Sequence, residues 1–239
     1  MKRPVLLLLL FAAPVFGQIT PRAADAVVAV VGSTHGLSNA FFKTELQLTN
    51  PTGAAQGGFL LLRPYGLVRR YDLPAHATIS FADVVAEMGG SGLGSLDILA
   101  DRGIVPAVVA RAYDDQLTGT TGVGVPAVAI ADVLVRGESG TLIVPRDLTR
   151  SRFNIGVRAL ASGAVIDLTI RAAAGTTRHQ RTLTYDANQF EQLPGNTFAG
   201  TALQADDSIE VTITSGSAIV YATAVDNQTN DSTLQLLAK

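Results

Sequence analysis

The sequence predicts an all-β protein with two tandem antiparallel β-sandwich domains and one short helix in the first domain. Three observations lead to this fold class. The chain is poor in charge and rich in glycine, with 16% charged residues and 23 glycines, whereas soluble domains average about 25% charged residues. Several short segments alternate between apolar and polar residues. Three segments of the first half recur in the same order in the second half.

The alternation of apolar and polar residues predicts half-buried strands. In residues 166–171 and again in residues 208–214, apolar side chains occupy every second position. Residues 44–49 alternate in the same way and lead into a turn, where Pro51 fixes φ and Gly53 tolerates a positive φ. Strands of this kind, joined by such turns, are typical of antiparallel sheets packed face to face.

Self-similarity divides the chain into two copies of one unit. The offsets between matched segments drift by only two residues, and each copy has about 100 residues, the usual size of a sandwich domain. We place the first domain at residues 18–136 and the second at residues 137–239, with the boundary near Gly137. The matched segments are 42–46 with 153–157, 94–98 with 207–211, and 108–116 with 220–228.

One short helix is predicted in the first domain. Ser80 is the expected N-cap, and Asp83 three residues later completes a capping-box pattern. An apolar stripe within residues 84–88 follows, and Gly89 ends the helix. Asp83 and Glu87 lie one turn apart, and we interpret them as part of a solvated face and not as an acid/base pair.

The N-terminus has the three parts of a secretory signal peptide. Lys2 and Arg3 precede an apolar run at residues 5–16, and Gly17 ends the expected cleavage site. The run is shorter than the roughly 20 apolar residues of a spanning helix, and no second stretch is long enough, so we expect no membrane span in the mature chain. Residues 1–17 are therefore predicted to be removed, and the product is expected to be secreted or periplasmic.

Charge and residue usage exclude several kinds of partner and chemistry. Without residues 1–17, 16 basic and 20 acidic residues remain, and a net charge of −4 gives no electrostatic basis for binding nucleic acid. The chain has no cysteine, which removes disulfides, thiol nucleophiles and thiolate metal sites. His35, His76 and His179 are far apart in sequence, so we predict no catalytic residues and no cofactor.

A cluster of oxygen-bearing side chains near the C-terminus is the one candidate metal site. Asp226, Asn227, Asn230 and Asp231 follow a predicted strand, and calcium prefers six to eight ligands of this kind. The cluster lacks the spacing of a calcium-binding loop, and Asp and Asn are ordinary turn residues. An Asx turn is therefore favoured over a calcium site, although both remain open.

The recurring segments resemble a known class of repeats. The first copy runs from Phe42–Leu46 into Leu48–Pro51 and later has Ala110–Tyr113, while the second has Arg152–Val157 and ends with Val225–Asp231. These segments are similar to the tandem Ig-like β-sandwich repeats of uncharacterised secreted bacterial proteins. The resemblance covers nearly all of the mature chain and implies two Ig-like sandwich domains. It implies no catalytic residues.

Three classes of function fit these observations. The first is a secreted, non-catalytic module that acts as a structural, adhesive or partner-binding protein at or outside the cell envelope, where its partner is a protein or a glycan. Carbohydrate binding is the alternative, with Tyr65 and Tyr71 as the only close pair of tyrosines. A hydrolase is the third, and it needs a histidine near a carboxylate with a serine or a metal in one cleft. The scattered histidines favour the first class.

Overall fold

Two antiparallel sheets follow one another along the chain in the computed structural model, which describes residues 23–37, 40–116 and 119–239. The predicted all-β fold class is confirmed. The signal peptide assigned to residues 1–17 lies outside the described residues. Within the described ranges, no helix is long and apolar enough to cross a membrane.

The first sheet contains nine strands and is accompanied by one short helix, α1 (Val84–Glu87). Its strands are β1 (Ala26–His35), β2 (Phe41–Thr49), β3 (Gln56–Arg63), β4 (Leu67–Leu73), β5 (Thr78–Phe81), β6 (Gly92–Ala100), β7 (Ala107–Gln116), β8 (Gly119–Gly124) and β9 (Ala127–Ala129).

The second sheet contains seven strands and is accompanied by a second short helix, α2 (Gly195–Ala199). Its strands are β10 (Leu134–Val135), β11 (Ser139–Ile143), β12 (Ser151–Arg171), β13 (Thr177–Tyr185), β14 (Phe190–Pro194), β15 (Ser208–Asp226) and β16 (Ser232–Leu237).

The first sheet folds into two layers because β1 changes partners along its length. Up to Ser33 the strand pairs with β6, and from Thr34 onward it pairs with β2. The strand order β4-β3-β6-β1 therefore continues into β2-β7-β8, with β9 added to β1 and β5 added to β2. Leu46 and Leu60, from opposite layers, are both fully buried in one apolar core. This arrangement is sandwich-like.

The second sheet reaches the same arrangement through two long, bent strands. The first part of β12 pairs with β14 and its second part with β13, while β15 pairs first with β11 and then with β16. The register between β12 and β15 shifts between Ala159 and Ala164. Gly163 and Gly216 lie at this bend with φ of 67° and 70°, a conformation that favours glycine.

Six strand pairings occur in the same chain order in both sheets. In the first sheet they are β1–β6, β2–β5, β2–β7, β3–β4, β3–β6 and β7–β8. The second sheet has β11–β15, β12–β14, β12–β15 before the bend, β12–β13, β12–β15 after the bend, and β15–β16. The short helix follows the fifth strand segment in each set.

The alternation predicted from sequence is found in the strands. Ile166, Leu168 and Ile170 are buried in the second core, and the apolar residues of 208–213 are buried with them. The predicted turn after β2 is also present, because the Asn50 Oδ1 atom accepts a hydrogen bond from the Thr52 N–H at 2.9 Å. These positions follow directly from the period-two pattern and the turn residues.

The helices differ from the prediction in two respects. The N-cap of α1 is Asp83, whose side chain accepts from the Ala86 N–H, while Ser80 lies in β5 and pairs with Gln47. The Glu87 carboxylate reaches back to the Ala82 N–H at 2.9 Å, so it also satisfies the start of the helix. The helix α2 was not predicted, because five residues beginning with Gly195 carry no helical periodicity.

The chain crosses from one sheet to the other at a short 3-10 turn, Ile130–Asp132. Just before it, β9 pairs with β1, and just after it, Leu134 of β10 pairs with Ala218 of β15. The strand β10 thus belongs to the second sheet, although it precedes the predicted boundary at Gly137.

Contacts between the two sheets bury a further apolar surface. Every residue from Ala26 to Ser33 in β1 is buried, so both faces of this strand are covered. Leu160, Ile219 and Tyr221 of the second sheet belong to the first core. The second sheet therefore completes the burial of β1.

Candidate functional site

A cleft of about 390 Å³ lies where the two sheets meet. The first sheet contributes residues of β1, β2, β6, β7 and β8, and the second contributes residues of β12, β14, β15 and β16. Most of the first-sheet lining is apolar, whereas the second-sheet lining is mainly polar. The apolar lining residues are Val30, Val31, Leu37, Phe42, Leu93, Ala112, Val123, Val125 and Val225, and those with a polar side chain from the second sheet are Arg152, Asn154, Gln192, Thr223 and Ser232.

Arg152 is the charged residue that the second sheet brings to the cleft. It is half-buried in β12, where it pairs with Val225 of β15. Its guanidinium donates from Nη1 to the Asn227 Oδ1 atom at 3.3 Å and from Nη2 to the Asn230 Oδ1 atom at 3.0 Å. Burial lowers the pKa of Arg152, and the nearby Asp226 charge partly opposes this shift. A guanidinium remains charged at neutral pH.

Two further polar groups are held in place by hydrogen bonds. The Thr44 hydroxyl is fully buried, accepts from the Gly32 N–H at 2.8 Å, and fastens β2 to β1 where β1 changes layers. The Gln192 Oε1 atom accepts from the buried Tyr221 hydroxyl at 2.9 Å. Both side chains are therefore fixed by the fold before any ligand binds.

The lining carries basic groups and, among the described residues, no aspartate or glutamate. Besides Arg152, it includes Lys43, which forms an ion pair with the exposed Asp115 at 3.6 Å. It also includes His35, whose ring lies edge-on to Phe41 with centroids 4.9 Å apart. The ionisable side chains of the lining are thus all of the basic types, whereas the protein as a whole is acidic.

The residues predicted as a calcium site form a turn that follows β15. The Asp226 Oδ1 atom accepts from the Gln228 and Thr229 N–H groups, both at 2.9 Å, and its Oδ2 atom accepts from the Arg150 Nε at 2.8 Å. These hydrogen bonds hold the pKa of the Asp226 carboxyl well below its usual range. Asp226 is thus engaged as an Asx turn.

The other three residues of this turn are also hydrogen-bonded. Asn227 and Asn230 accept from Arg152, and the Asp231 Oδ1 atom accepts from the Ser232 N–H at 3.0 Å. Among the described residues, no group of three or more histidine, cysteine, aspartate or glutamate side chains could hold a metal ion. Sequence reasoning thus found residues bordering the cleft, but it did not select Arg152, which they position, as a site residue.

Calcium binding by this turn stays a prediction that thermal unfolding can check. Because its carboxylate and amide oxygens already accept hydrogen bonds within the protein, we expect the melting temperature to be the same with calcium and with a chelator. A rise in melting temperature with calcium concentration would contradict this expectation and support the site.

The histidines and the tyrosine pair lie apart from one another. His35 ends β1, His76 lies in a turn with φ of 60°, and His179 pairs with Ile170 in β13. Tyr65 is 43% exposed, while Tyr71 is 2% exposed. The two rings therefore do not form one exposed aromatic platform.

A buried ion network joins the two sheets and was not anticipated from the sequence. The Asp97 carboxylate of β6 accepts from the Arg158 Nη2 of β12 at 2.7 and 2.8 Å and from the Arg63 Nε of β3 at 3.1 Å. The Arg158 side chain is 1% exposed and that of Asp97 is 3% exposed. This network fixes the second sheet against the first beside β1.

Comparisons with known proteins leave the family open. No protein-family model matches the chain, and no curated protein matches it. One solved structure with partial similarity is the Bacteroides uniformis β-glucuronidase 2 covalently bound to cyclophellitol-6-carboxylate aziridine, with 13% sequence identity and a TM-score of 0.18. The alignment covers 82% of this chain, and the chain spans 24% of the length of that protein.

Proposed function

We propose that this chain is an exported, non-catalytic binding module at or outside the cell envelope, and that it binds its partner at the cleft between the two sheets. The cleft is the observation that carries the proposal. Its polar groups are already fixed by Thr44–Gly32 and Tyr221–Gln192 hydrogen bonds, and its apolar wall belongs to the framework of the first sheet. Concave sites with an apolar lining and a few oriented polar groups are typical binding sites.

Export is supported by the N-terminal sequence. The basic pair Lys2–Arg3 and the apolar run at 5–16 have the composition of a signal peptide. A secreted or periplasmic location also agrees with the use of a module that acts through its surface. N-terminal sequencing of protein recovered outside the cytoplasm should begin after Gly17, and an intact Met1 end would contradict export by cleavage.

A duplicated Ig-like unit is the architecture that we propose for this module. The six pairings that occur in the same order in both sheets support it, as do the matched sequence segments 94–98 with 207–211 and 108–116 with 220–228. Duplication explains how a cleft forms between two similar bodies. Each body contributes a different surface to the cleft, one apolar and one polar.

Carbohydrate binding has less support than partner binding. Sugar sites commonly use exposed aromatic faces, and Tyr71 of the candidate pair is buried. The polar wall of Arg152, Asn154 and Gln192 is the feature that favours this second candidate. A glycan array without any bound sugar would remove it.

The proposed function can be tested by comparing how much partner is captured by wild-type protein and by a variant whose cleft is filled. Ala112 lines the cleft, so Ala112→Trp should fill it, whereas Ala187→Trp places the same side chain on an exposed turn. We expect wild-type protein and Ala187→Trp to retain a partner from the envelope fraction, and Ala112→Trp to lose it. Equal capture by both variants would show that the cleft is not the binding surface.

A further inference from the structure

We propose that the ligand of the cleft is a small amphipathic carboxylate, with its carboxylate on Arg152 and its apolar tail against the wall of the first sheet. The inference rests on the proposed function, because it names the ligand class of that same cleft. Three properties of the site lead to it: an arginine without a carboxylate partner, an apolar wall in the same cleft, and a volume that suits one small molecule.

The first property is the pairing of Arg152. Within the described part of the chain, no aspartate or glutamate lies within ion-pair distance of this side chain, and its two hydrogen bonds go to the neutral amide oxygens of Asn227 and Asn230. The half-buried arginine therefore keeps its positive charge uncompensated by a direct partner. By contrast, seven arginines among the described residues do form an ion pair with a carboxylate, namely Arg63, Arg69, Arg70, Arg150, Arg158, Arg171 and Arg178.

The surroundings of Arg152 favour an external anion. Asp226 is the acidic group that acts on Arg152 through its charge, but its carboxylate is bound by the Arg150 Nε at 2.8 Å. A guanidinium has five N–H donors, and the two asparagines use one from each Nη atom. The remaining donors suit a carboxylate, which a guanidinium binds through two parallel hydrogen bonds.

The second property is the apolar wall that the first sheet contributes to the same cleft. Phe42, Leu93, Val123 and Val125 line it, and Leu37 is 62% exposed at its edge. Burying an aliphatic tail on such a surface favours binding, because each CH₂ group is removed from water. A purely polar anion, such as inorganic phosphate, would leave this wall unused.

The third property is size. The volume of about 390 Å³ lies near the lower end of the roughly 300–1,000 Å³ usual for small-molecule sites. This volume suits one medium-length chain or a ring with a short tail. Decanoate is therefore the probe that we choose, with 1-decanol as the uncharged compound of the same length.

The inference can be tested by calorimetric titration. The protein is expressed with its own N-terminus and purified after export. We expect saturable binding of decanoate and binding of 1-decanol that is at least about ten-fold weaker, because a charge-assisted hydrogen bond is lost. Arg152→Gln should weaken decanoate binding by a similar factor and leave 1-decanol unchanged. The matched control is Arg171→Gln, which lies on the same strand but pairs with Glu210 on the exposed surface.

A second variant keeps the inference testable if Arg152→Gln fails to fold. Gln192→Glu leaves Arg152 in place and retains an oxygen that can accept from the Tyr221 hydroxyl. Its added negative charge should weaken decanoate at least about ten-fold while 1-decanol binds as before. Circular dichroism melts of each variant show whether its fold is intact.

Two results would overturn the inference: decanoate that does not bind saturably, or decanoate that binds both charge variants as it binds wild-type protein. If an envelope partner is still captured by wild-type protein and lost with Ala112→Trp, only the ligand class fails and the proposed function stands. If capture does not depend on the cleft either, both proposals fail.

Discussion

At the scale of single residues, Asp97 has the most consequential environment in the molecule. Its carboxylate lies between Arg158 and Arg63, and the side chains of Asp97 and Arg158 are almost completely removed from solvent. The Arg158 Nη1 also donates to the Ala159 carbonyl. Burial lowers the pKa of Arg158, while the attraction of the Asp97 charge opposes that shift. Asp97 thus compensates a charge that the fold has placed out of water.

Loss of this carboxylate should strongly destabilise the protein. Asp97→Asn leaves Arg158 charged, buried and without a counter-ion, which we expect to cost about 3–5 kcal/mol of unfolding free energy. Denaturant unfolding followed by circular dichroism measures the change. The control is Glu210→Gln, which removes an exposed partner of Arg171 and should cost less than about 1 kcal/mol. An Asp97→Asn variant as stable as the control would contradict the role of the network.

Tyr71 provides a second prediction at this scale, through its pKa. Burial raises the pKa of the Tyr71 hydroxyl to about 12, and the hydroxyl makes no hydrogen bond within the described part of the chain. The folded state holds Tyr71 neutral. The contribution of this group to the free energy of unfolding is therefore fully present below the ordinary tyrosine pKa of about 10, and it is lost as pH rises through about 12.

Tyr71→Phe should remove this part of the loss of stability at alkaline pH. At neutral pH we expect the variant to be as stable as wild-type protein or slightly more stable, because a buried hydroxyl without a partner is replaced by an apolar atom. Melting temperatures measured from pH 8 to 12 test both statements. A variant that melts well below wild-type protein at neutral pH would show that the hydroxyl makes a stabilising hydrogen bond.

At the scale of elements, the two long strands depend on glycines at their bends. A Cβ atom built on Gly216 would lie 2.0 Å from the Gly163 carbonyl oxygen, and the backbone there has a φ of 70°. Gly163 itself faces the Tyr185 carbonyl oxygen, 2.7 Å from an added Cβ. The close approach of β15 to β12 at Gly216, and of β13 to β12 at Gly163, therefore requires a residue without a side chain at both positions.

Gly216→Ala should destabilise the protein by about 3 kcal/mol or more, because the backbone conformation is unfavourable and the added methyl group collides with the neighbouring strand. Gly175→Ala separates the two causes, since Gly175 has a φ of 83° but open space around it. For that control we expect only about 1 kcal/mol. Equal losses for both variants in denaturant unfolding would contradict the close approach at the bend.

The strands also show what an alternating sequence pattern can and cannot predict. Alternation assigned the buried faces, because Leu46 and Ile166 are both fully buried as predicted for their strands. It did not fix the alignment between the two predicted copies. Phe42 pairs with Asp114, whereas Ser151 pairs with Asp226, so the segment at 153–157 is displaced by two residues from the predicted match with 42–46. A shift of two keeps every side chain on its face, and a period-two pattern cannot detect it.

At the scale of the whole molecule, the cleft could not be predicted from the sequence, for a different reason. Thr44 and Arg152 come from different sheets, and neither lies in a motif of fixed spacing. Their proximity depends on how β12 and β15 pack beside β1, which local patterns do not encode. The residues that sequence reasoning did select, Asn227 and Asn230, reach the site only through their hydrogen bonds to Arg152.

The same packing predicts that the two sheets unfold together. Leu160, Ile219 and Tyr221 of the second sheet are part of the core of the first, and the Asn230 Nδ2 also donates to the buried Asp114 carboxylate at 3.4 Å. Unfolding one sheet alone would expose this shared apolar surface and leave Arg158 without Asp97. We therefore expect one calorimetric transition, with equal calorimetric and van't Hoff enthalpies.

Asp97→Asn provides the control for this last prediction. If the sheets are coupled, the substitution should lower the temperature of the whole transition without splitting it, because the carboxylate contacts residues of both sheets. Small-angle scattering should likewise give the profile of one rigid body. Two resolved transitions in wild-type protein, with only one of them lowered by Asp97→Asn, would show that the sheets are independent and would remove the physical basis for a preformed cleft between them.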